Sequence, residues 1–449
     1  MPEIKRIMMN VKPITGFSKL NKRDKLDLVA SYFEDTDNAI NELQTYWHAD
    51  KQKQQLFDEF SENTISNFFF PYGVAPNMII NGIRYIVPMV IEESSVIAAA
   101  SSSAKFWSDR GGFHAKIIST DKIGQVHFIW KGQPDLLKAH MPRIKERLIH
   151  KSKYITERME KRGGGIKDIE LIDMTYELEN YYQLKATFET VNSMGANFIN
   201  SCLEEFATQL KNYLNEDDEF VNGDKDCSII MAILSNYTPS CLVEVYVECD
   251  IEDLRNGDHD LEPEEFAWKF EKAAQIAQID TYRATTHNKG IFNGIDAVAL
   301  ATGNDFRAIE ACGHTFAARS GKYRSLTKAT TKNGKFKYTL RIPLALGTIG
   351  GLTNLHPLAK RSLELLGNPS AEELMMIVAA TGLANNFGAL KSLTTKGIQQ
   401  GHMKMHLFNI LNQHNATQEE KKLATDFFKD KVVSFQLVSE FIQDIRKSL

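Results

Sequence analysis

The sequence has few thiols, no long apolar run, no strong excess of either charge and no dinucleotide-binding glycine signature, and each absence removes a class of protein. Its five cysteines, Cys202, Cys227, Cys241, Cys249 and Cys312, are odd in number, scattered, and include no CxxC pair. That pattern argues against a disulfide framework and a zinc site, so no metal is expected, and small buried thiols are the ordinary reading. No uncharged apolar run reaches about 18 residues, and Met1–Asn10 lacks the apolar core of a secretory signal. The expectation is a cytoplasmic chain that does not engage a membrane. A formal net charge of −4 gives no reason to expect a nucleic-acid partner. Nowhere does GxGxxG follow a strand pattern, which argues against a Rossmann unit.

What is present is an ordinary globular composition, 43% hydrophobic and 24% charged, over 449 residues. That length exceeds what one hydrophobic core serves, so two or more domains are expected. Residues 21–33 place Leu26, Val29 and Phe33 at helical spacing, with a polar helix following toward Lys53. Ile79-Ile80-Asn81-Gly82-Ile83 reads as a hairpin, because Asn-Gly supplies the two positive-φ residues of a type I′ turn. From Glu93 to Trp107 the chain is crowded with Ala and Ser, as suits a central helix that other backbone approaches closely. The Glu92-Glu93 pair there reads either as acids on a helix dipole or as catalysis.

Gly111-Gly112 marks a boundary. Beyond it, His114–Ser119 and Gln125–Trp130 read as strands, and a long basic helix, with Pro142 as a kink, runs to Arg162. Gly163-Gly164-Gly165 stops that helix. Strands at 166–174 and 184–191 then lead to a helix starting near Met194. This β-β-α-β-β-α order predicts an inserted α+β domain. Strands at 227–234 and 242–250 and a helix over Pro263–Ile276 return the chain to a larger domain. Gly347-Thr348-Ile349-Gly350-Gly351 is a turn suited to backbone approach by a phosphate, though weak as a lone signal. After Thr394 the pattern is all-helical, with Thr417 and Glu420 as a capping box and Gly397 and Gly401 as a hinge.

The richest stretch is Thr281–Arg307, TYRATTHNKGIFNGIDAVALATGNDFR. Its spacing suggests a helix entered from a loop bearing Lys289 and left through a turn bearing Asp305. The two charges would converge on one cleft, where a carboxylate keeps a lysine protonated despite partial burial. Structural Lys–Asp pairs are at least as common as catalytic ones, so the pattern alone leaves both readings open.

This stretch resembles the Lys- and Asp-bearing core of the 3-hydroxy-3-methylglutaryl-CoA (HMG-CoA) reductases, most closely the soluble class II enzymes. Three further motifs fall in that family's order: PMVIEESSVIAAAS at 88–101, VNSMGAN at 191–197 and KGIQQGHMKMH at 396–406. The resemblance covers roughly the whole chain. It implies an α+β fold with a large substrate domain built around a central helix, residues 1–112 and 226–394. A small non-Rossmann cofactor-binding domain, 113–225, is inserted, and 395–449 form a helical flap. It also implies a homodimer or higher oligomer with the site at the subunit interface.

On that resemblance, Lys289 corresponds to the lysine that stabilises the carbonyl oxygen and Glu93 to the proton-delivering glutamate. Asp305 corresponds to the aspartate that holds the lysine, and His402 to the histidine that protonates CoA thiolate. Arg283 resembles the clamp on the acyl carboxylate, with Ser95, Asn236 and Asn293 as polar contacts to the acyl group. His287 and His406 are left as structural or supporting groups. The cofactor motif Met194-Gly195-Ala196-Asn197 keeps the small residues that admit a dinucleotide, but Asn192 stands where many relatives carry Asp. Counting back from Gly163 places Thr156 where NAD-using relatives carry an aspartate on the ribose, with Arg158 two residues on. A missing acid and a nearby guanidinium favour NADPH, with NADH tolerated, although a solvated basic helix accounts for the same cations. The expected reaction interconverts HMG-CoA with mevalonate and CoA. The rival readings are a CoA-thioester lyase or acyltransferase without a redox cofactor, and a CoA-binding protein without turnover.

Overall fold

The Asn81-Gly82 turn forms as the sequence requires. Both residues take positive φ, 49° and 83°, and Ile80 pairs with Ile83. The computed structural model describes residues 13–255, 261–395, 407–429, 431 and 433–448. By internal contacts the chain divides between Pro71 and Tyr72, inside the stretch expected to begin the large domain. The first unit holds three short helices, α1 (Lys22–Ala30), α2 (Thr36–Thr45) and α3 (Lys51–Asp58), each capped by an Asn or Asp side chain at its N-terminus.

The second unit begins with the hairpin β1 (Tyr72–Ile80) and β2 (Ile83–Val90), followed by α4 (Ser94–Ser108) and β3 (His114–Ile117). Next come β4 (Lys122–Trp130), α5 (Pro134–Lys151), α6 (Lys153–Glu160), β5 (Gly165–Asp173), β6 (Tyr181–Glu189), α7 (Ala196–Glu216) and β7 (Cys227–Leu234). The chain continues through β8 (Leu242–Asp250), α8 (Pro263–Ile279), α9 (Thr281–Ala301), α10 (Phe306–Ala317), β9 (Thr327–Lys332) and β10 (Lys335–Pro343). It ends with α11 (Leu352–Leu355), α12 (Pro357–Leu365), α13 (Ala371–Thr394), α14 over 407–413, α15 (Gln418–Phe427) and α16 (Phe435–Ser448).

Two four-stranded sheets result, ordered β3-β8-β10-β9 and β5-β6-β4-β7, with every strand pair antiparallel. An antiparallel sheet cannot be a doubly wound nucleotide fold, so the second sheet is the non-Rossmann unit expected from the sequence. In β4 burial alternates residue by residue, and Val126, Phe128 and Trp130 all face a core shared with α5 and α7. The strands correct the expected boundaries at 112/113 and 225/226. β3 pairs with β8, and β7 pairs with β4, so each sheet takes a strand from across the expected line. The crossings lie at 118–122 and 235–241, where Ile118 N–H donates to Leu242 O and Ser235 N–H to Ile123 O, both at 2.8 Å.

The long basic helix also differs. It runs through Pro142 and breaks instead at the buried Ser152, between α5 and α6. In the tail, the capping box of Thr417 and Glu420 is present at α15, and α14–α16 share a small core around Leu411, Ala424 and Val438. Gly397 and Gly401, the expected hinge, lie outside the described residues.

The larger core forms where α9 crosses α13, with α4 against α13's other flank. Among the described residues α13 alone is long and apolar enough to cross a membrane, and 78% of that window is buried inside the protein. Close approach depends on glycine. A Cβ on Gly294 would sit 2.6 Å from Thr381 O and 3.0 Å from Asn385 Cβ, and one on Gly382 would sit 2.8 Å from Ile295 Cγ1. Gly294→Ala is therefore expected to destabilise the protein by about 1–3 kcal/mol through overpacking against backbone. Urea unfolding of the variant checks this, and an unchanged midpoint would show that the helices separate freely.

Candidate active site

Helix α9 is held from beneath by a buried polar network. His287 Nε2 lies 2.6 Å from Thr327 Oγ1, Tyr338 O–H donates to Thr327 Oγ1 at 3.0 Å and also to Asn386 Oδ1, and Asn386 Nδ2 donates to His287 O at 2.8 Å. Burial, reinforced by the Arg283 charge, lowers the His287 pKa to about 3. His287 is thus a neutral structural imidazole and not a base at working pH. The neighbouring Asn288 accepts from Leu326 N–H and donates to Arg324 O, fixing the same turn of the helix.

Lys289 stands on the opposite, open side of that turn. It lies well inside α9, not in a preceding loop, which corrects the sequence expectation. The stretch before it is helical because Asp280 caps the helix through Arg283 N–H at 2.9 Å. Lys289 Nζ is 3.5 Å from Glu93 Oε2, with side-chain exposures of 63% and 39%. Glu93 is the N-cap residue of α4 and makes no side-chain cap hydrogen bond. Ser95 Oγ donates to Glu93 Oε1. Asn293 lies half-buried one turn beyond Lys289 on the same face. Arg283 is six residues before Lys289, about 120° round the helix, and its partial burial lowers its pKa. Asn236 is exposed in the turn between β7 and β8.

Asp305 is placed differently from expectation. It caps α10, accepting from Arg307 N–H and Ala308 N–H, and it pairs with the Arg307 guanidinium at 3.0 Å. Partial burial pushes its pKa up, but Arg307 and the backbone donors outweigh that and hold it below the usual value. The ion pair of Lys289 is with Glu93, and that of Asp305 is with Arg307. A cap aspartate has local donors two and three residues away, and these win over a partner on another helix. His402, His406 and the rest of 396–406 lie outside the described residues.

The VNSMGAN segment docks on the glycine-rich turn. Thr348 N–H donates to Asn192 O at 2.9 Å, Ser193 bridges Ile349, and Asn192 Oδ1 accepts from Ala371 N–H at the start of α13. Asn192 is therefore a structural tie, and its lost charge costs the local geometry nothing. Gly347 is obligatory here, since a Cβ would lie 2.6 Å from Met194 N. Its own N–H donates to Asn304 Oδ1 at 2.9 Å, which fastens the glycine-rich turn to the residue before Asp305. Asn304 belongs to the polar group that the sequence concentrates in 281–307, but the sequence assigns it no role, and its only signal is a polar residue between Gly303 and Asp305. Gly195 takes φ +88° as the N-cap of α7 and leaves that helix without a side-chain cap. The first turn, Ala196 and Asn197 onward, then offers free N–H groups beside Met194, a ready anion site.

Thr156 does not belong to this surface. It is 1% exposed, and its hydroxyl donates to Glu160 Oε1 at 2.7 Å, while Lys153 pairs with Oε2 of the same carboxylate. The α6 periodicity turns Thr156 inward with Met159 and leaves Arg158 outside.

An exposed Lys289–Glu93 ion pair and an α7 N-terminus without a side-chain cap stand on the α+β frame that the resemblance to the reductases implies. Comparison with known proteins agrees. The family model described as hydroxymethylglutaryl-coenzyme A reductase matches residues 22–407. The chain is similar to the 3-hydroxy-3-methylglutaryl-coenzyme A reductase of Archaeoglobus fulgidus, 34% identical over 99% of this chain and 97% of that one. It is likewise similar to the probable enzyme of Borreliella burgdorferi, 30% identical over 98% of each. A solved reductase from Streptococcus pneumoniae superposes with a TM-score of 0.71 at 33% identity, covering 97% of this chain and all of that one. The chain belongs to the hydroxymethylglutaryl-coenzyme A reductase family, in its class II branch. It is an oxidoreductase that interconverts HMG-CoA with mevalonate and CoA, which sets aside the lyase, acyltransferase and non-catalytic readings.

Two turns beyond Lys289 on α9, Asp296 meets Glu310 of α10. Burial, and then the charge and hydrogen bond of Glu310, raise its pKa to about 8. The folded state thus holds a proton that the unfolded chain releases near the ordinary aspartate value of about 3.9. Its contribution to stability is full below that value and is lost as pH rises toward about 8. Asp296→Asn is expected to become progressively more stable than wild type between those limits. Denaturant midpoints of both proteins across pH 4–9 (roughly the window those two values bracket) check it, and a pH-independent difference would refute the shared proton.

Proposed function

We propose that Glu93 and Lys289 carry the two reductive steps on HMG-CoA. The observation that supports this reading is their 3.5 Å ion pair, a cation beside a carboxylate on an open face. Each reductive step builds negative charge on the former carbonyl oxygen, and Lys289 stabilises it. Glu93 delivers the proton, held in orientation by the Ser95 hydroxyl. Arg283 takes the acyl carboxylate through its planar fork, with Asn236, Asn293 and Ser95 as further polar contacts. His402 protonates the departing CoA thiolate, a role that suits a group titrating near neutrality. Asp305 tunes Lys289, and doing so requires it to leave the Arg307 pair.

The cofactor is NADPH, and two molecules of it, bound in turn, would supply the two hydrides. A Streptococcus pneumoniae class II relative, 34% identical, is bound to NADPH in its solved structure. The residues present fit such a group. The uncapped start of α7 takes the pyrophosphate, and Met194, Gly195, Ala196 and Asn197 let it come close. With Thr156 buried, recognition of the 2′-phosphate rests on Arg158.

Residues 72–112 and 226–394 serve the acyl-CoA, 113–225 serve the cofactor apart from the exchanged strands, and 395–449 close over the site. A homodimer or higher homo-oligomer completes that site, and the openness of the Lys289–Glu93 pair in a single chain supports this. The protein acts in the cytoplasm.

Lys289→Ala is expected to fold normally and to lose roughly a hundredfold or more in kcat, the cost of one oxyanion stabiliser. Steady-state assay with HMG-CoA checks it, and retention of more than about a tenth of the rate rejects the assignment. For the cofactor, Arg158→Ala should lower kcat/KM for NADPH and leave that for NADH unchanged. A wild-type preference for NADH, or an NADPH constant that does not move in the variant, would sink the choice.

A further inference from the structure

Next to the segment assigned to the cofactor, one residue holds a backbone conformation that its side chain opposes. Every other non-glycine residue with positive φ among the described residues is an Asn, whereas Val191, at +52°, is β-branched. Ser193 N–H donates to Thr190 O at 3.0 Å, so 190–193 is a tight turn with Val191 at its first central position. Positive φ there and not at Asn192 marks the turn class that takes glycine at that position.

The turn is held in this form from several directions. Val191 N–H donates to Glu189 Oε1 at 2.8 Å, and Thr190 Oγ1 donates to Ser193 O at 2.6 Å. Asn192 is tied through its carbonyl to Thr348 and through its side chain to Ala371. A Gly or Asn at 191 would fit the same turn without strain, so the hydrogen bonds do not account for the valine. Nor does packing: Val191 is half-buried and joins none of the hydrophobic clusters. Strain that the surrounding structure over-determines, and that no core contact offsets, is characteristic of ligand-binding positions.

We infer that the isopropyl group of Val191 is an apolar contact for the bound dinucleotide, presented by the strained turn beside the open first turn of α7. This role for Val191 rests on the seating of the cofactor at Met194–Asn197. The turn and the start of α7 are held close, since a Cβ on Gly195 would lie 2.4 Å from Thr190 Cγ2. With the pyrophosphate on the helix N-terminus, the nucleosides extend to either side of it, and their rings are the parts of the ligand that an aliphatic branch can cover. Backbone N–H groups recognise charge and offer the rings no apolar surface. Val191 supplies that surface.

The test is NADPH titration by fluorescence, together with urea unfolding, on the full chain carrying Val191→Gly or Val191→Ile. Val191→Gly is expected to unfold at a higher urea concentration than wild type, because the strain is gone. It should bind NADPH about tenfold more weakly, the loss expected of one apolar contact in a binding site. Its kcat at saturating NADPH should stay within about twofold of wild type, since only binding is affected. Val191→Ile keeps the branch, so it should bind NADPH as wild type does and gain no stability. Wild-type affinity in Val191→Gly overturns the contact, and a lowered urea midpoint in that variant overturns the strain. Ala196→Asp, which sets a carboxylate where the pyrophosphate would rest, tests the underlying seat. If it loses NADPH binding while Val191→Gly keeps it, the seat stands and the Val191 contact falls. If it binds NADPH like wild type, the seat itself is misplaced and the Val191 contact falls with it.

Discussion

The contact on which the site depends is the close crossing of α9 and α13. Gly294 and Gly382 let the two helices meet with backbone oxygen and side-chain carbon where Cβ atoms would collide. One turn along α13 and two along α9, the same helices are joined by polar atoms, with Asn386 of α13 donating to the carbonyl of His287 and accepting from Tyr338. Packing sets the distance between the helices, and these hydrogen bonds set their rotation. A buried polar group left without its partner costs about 1–3 kcal/mol, so the arrangement resists slipping. Lys289, two residues beyond His287, is thereby presented outward with a fixed backbone.

α13 carries the same constraint to the other half of the ion pair. Asn385 donates to Val96 O at 2.7 Å, and Gly388 admits Ala99 and Ser103, so α4 is seated on α13 at a defined depth. Glu93 heads α4, so it and Lys289 meet because both helices are referenced to a third. The cofactor segment is tied in the same manner. Asn192 binds the first N–H of α13, and Asn304 binds Gly347 under Met194. Elements far apart in the chain are registered on one buried helix, whose apolar composition answers to this core position and not to a bilayer.

Local chemistry was legible in the sequence where the cause was local. The Asn81-Gly82 hairpin, the Thr417–Glu420 capping box and the alternation in β4 all follow from a few neighbouring residues, and the structure shows each. The motifs at 88–101, 191–197 and 281–307 were likewise enough to point to the family. The resemblance put Glu93 and Lys289 in one site, and the structure pairs them, but other placements that depend on neighbours distant in sequence differ. Strand exchange between the sheets depends on which edges are open after folding, so β3 and β7 fell on the wrong sides of the expected boundaries. Thr156 was chosen by counting, and only the inward turn of α6 reveals that it is buried.

The two charges of the 281–307 stretch draw the same line. Sequence by itself determined that a lysine and an aspartate flank an apolar helical run, with glycines where backbone comes close. Tertiary structure decided their partners: Asp305 is taken by the helix it caps and by Arg307, while Lys289 finds Glu93, nearly 200 residues earlier in the chain. Capping donors are supplied by the next few residues and are present however the rest folds. An ion pair between separate helices exists only after a shared core has brought them together.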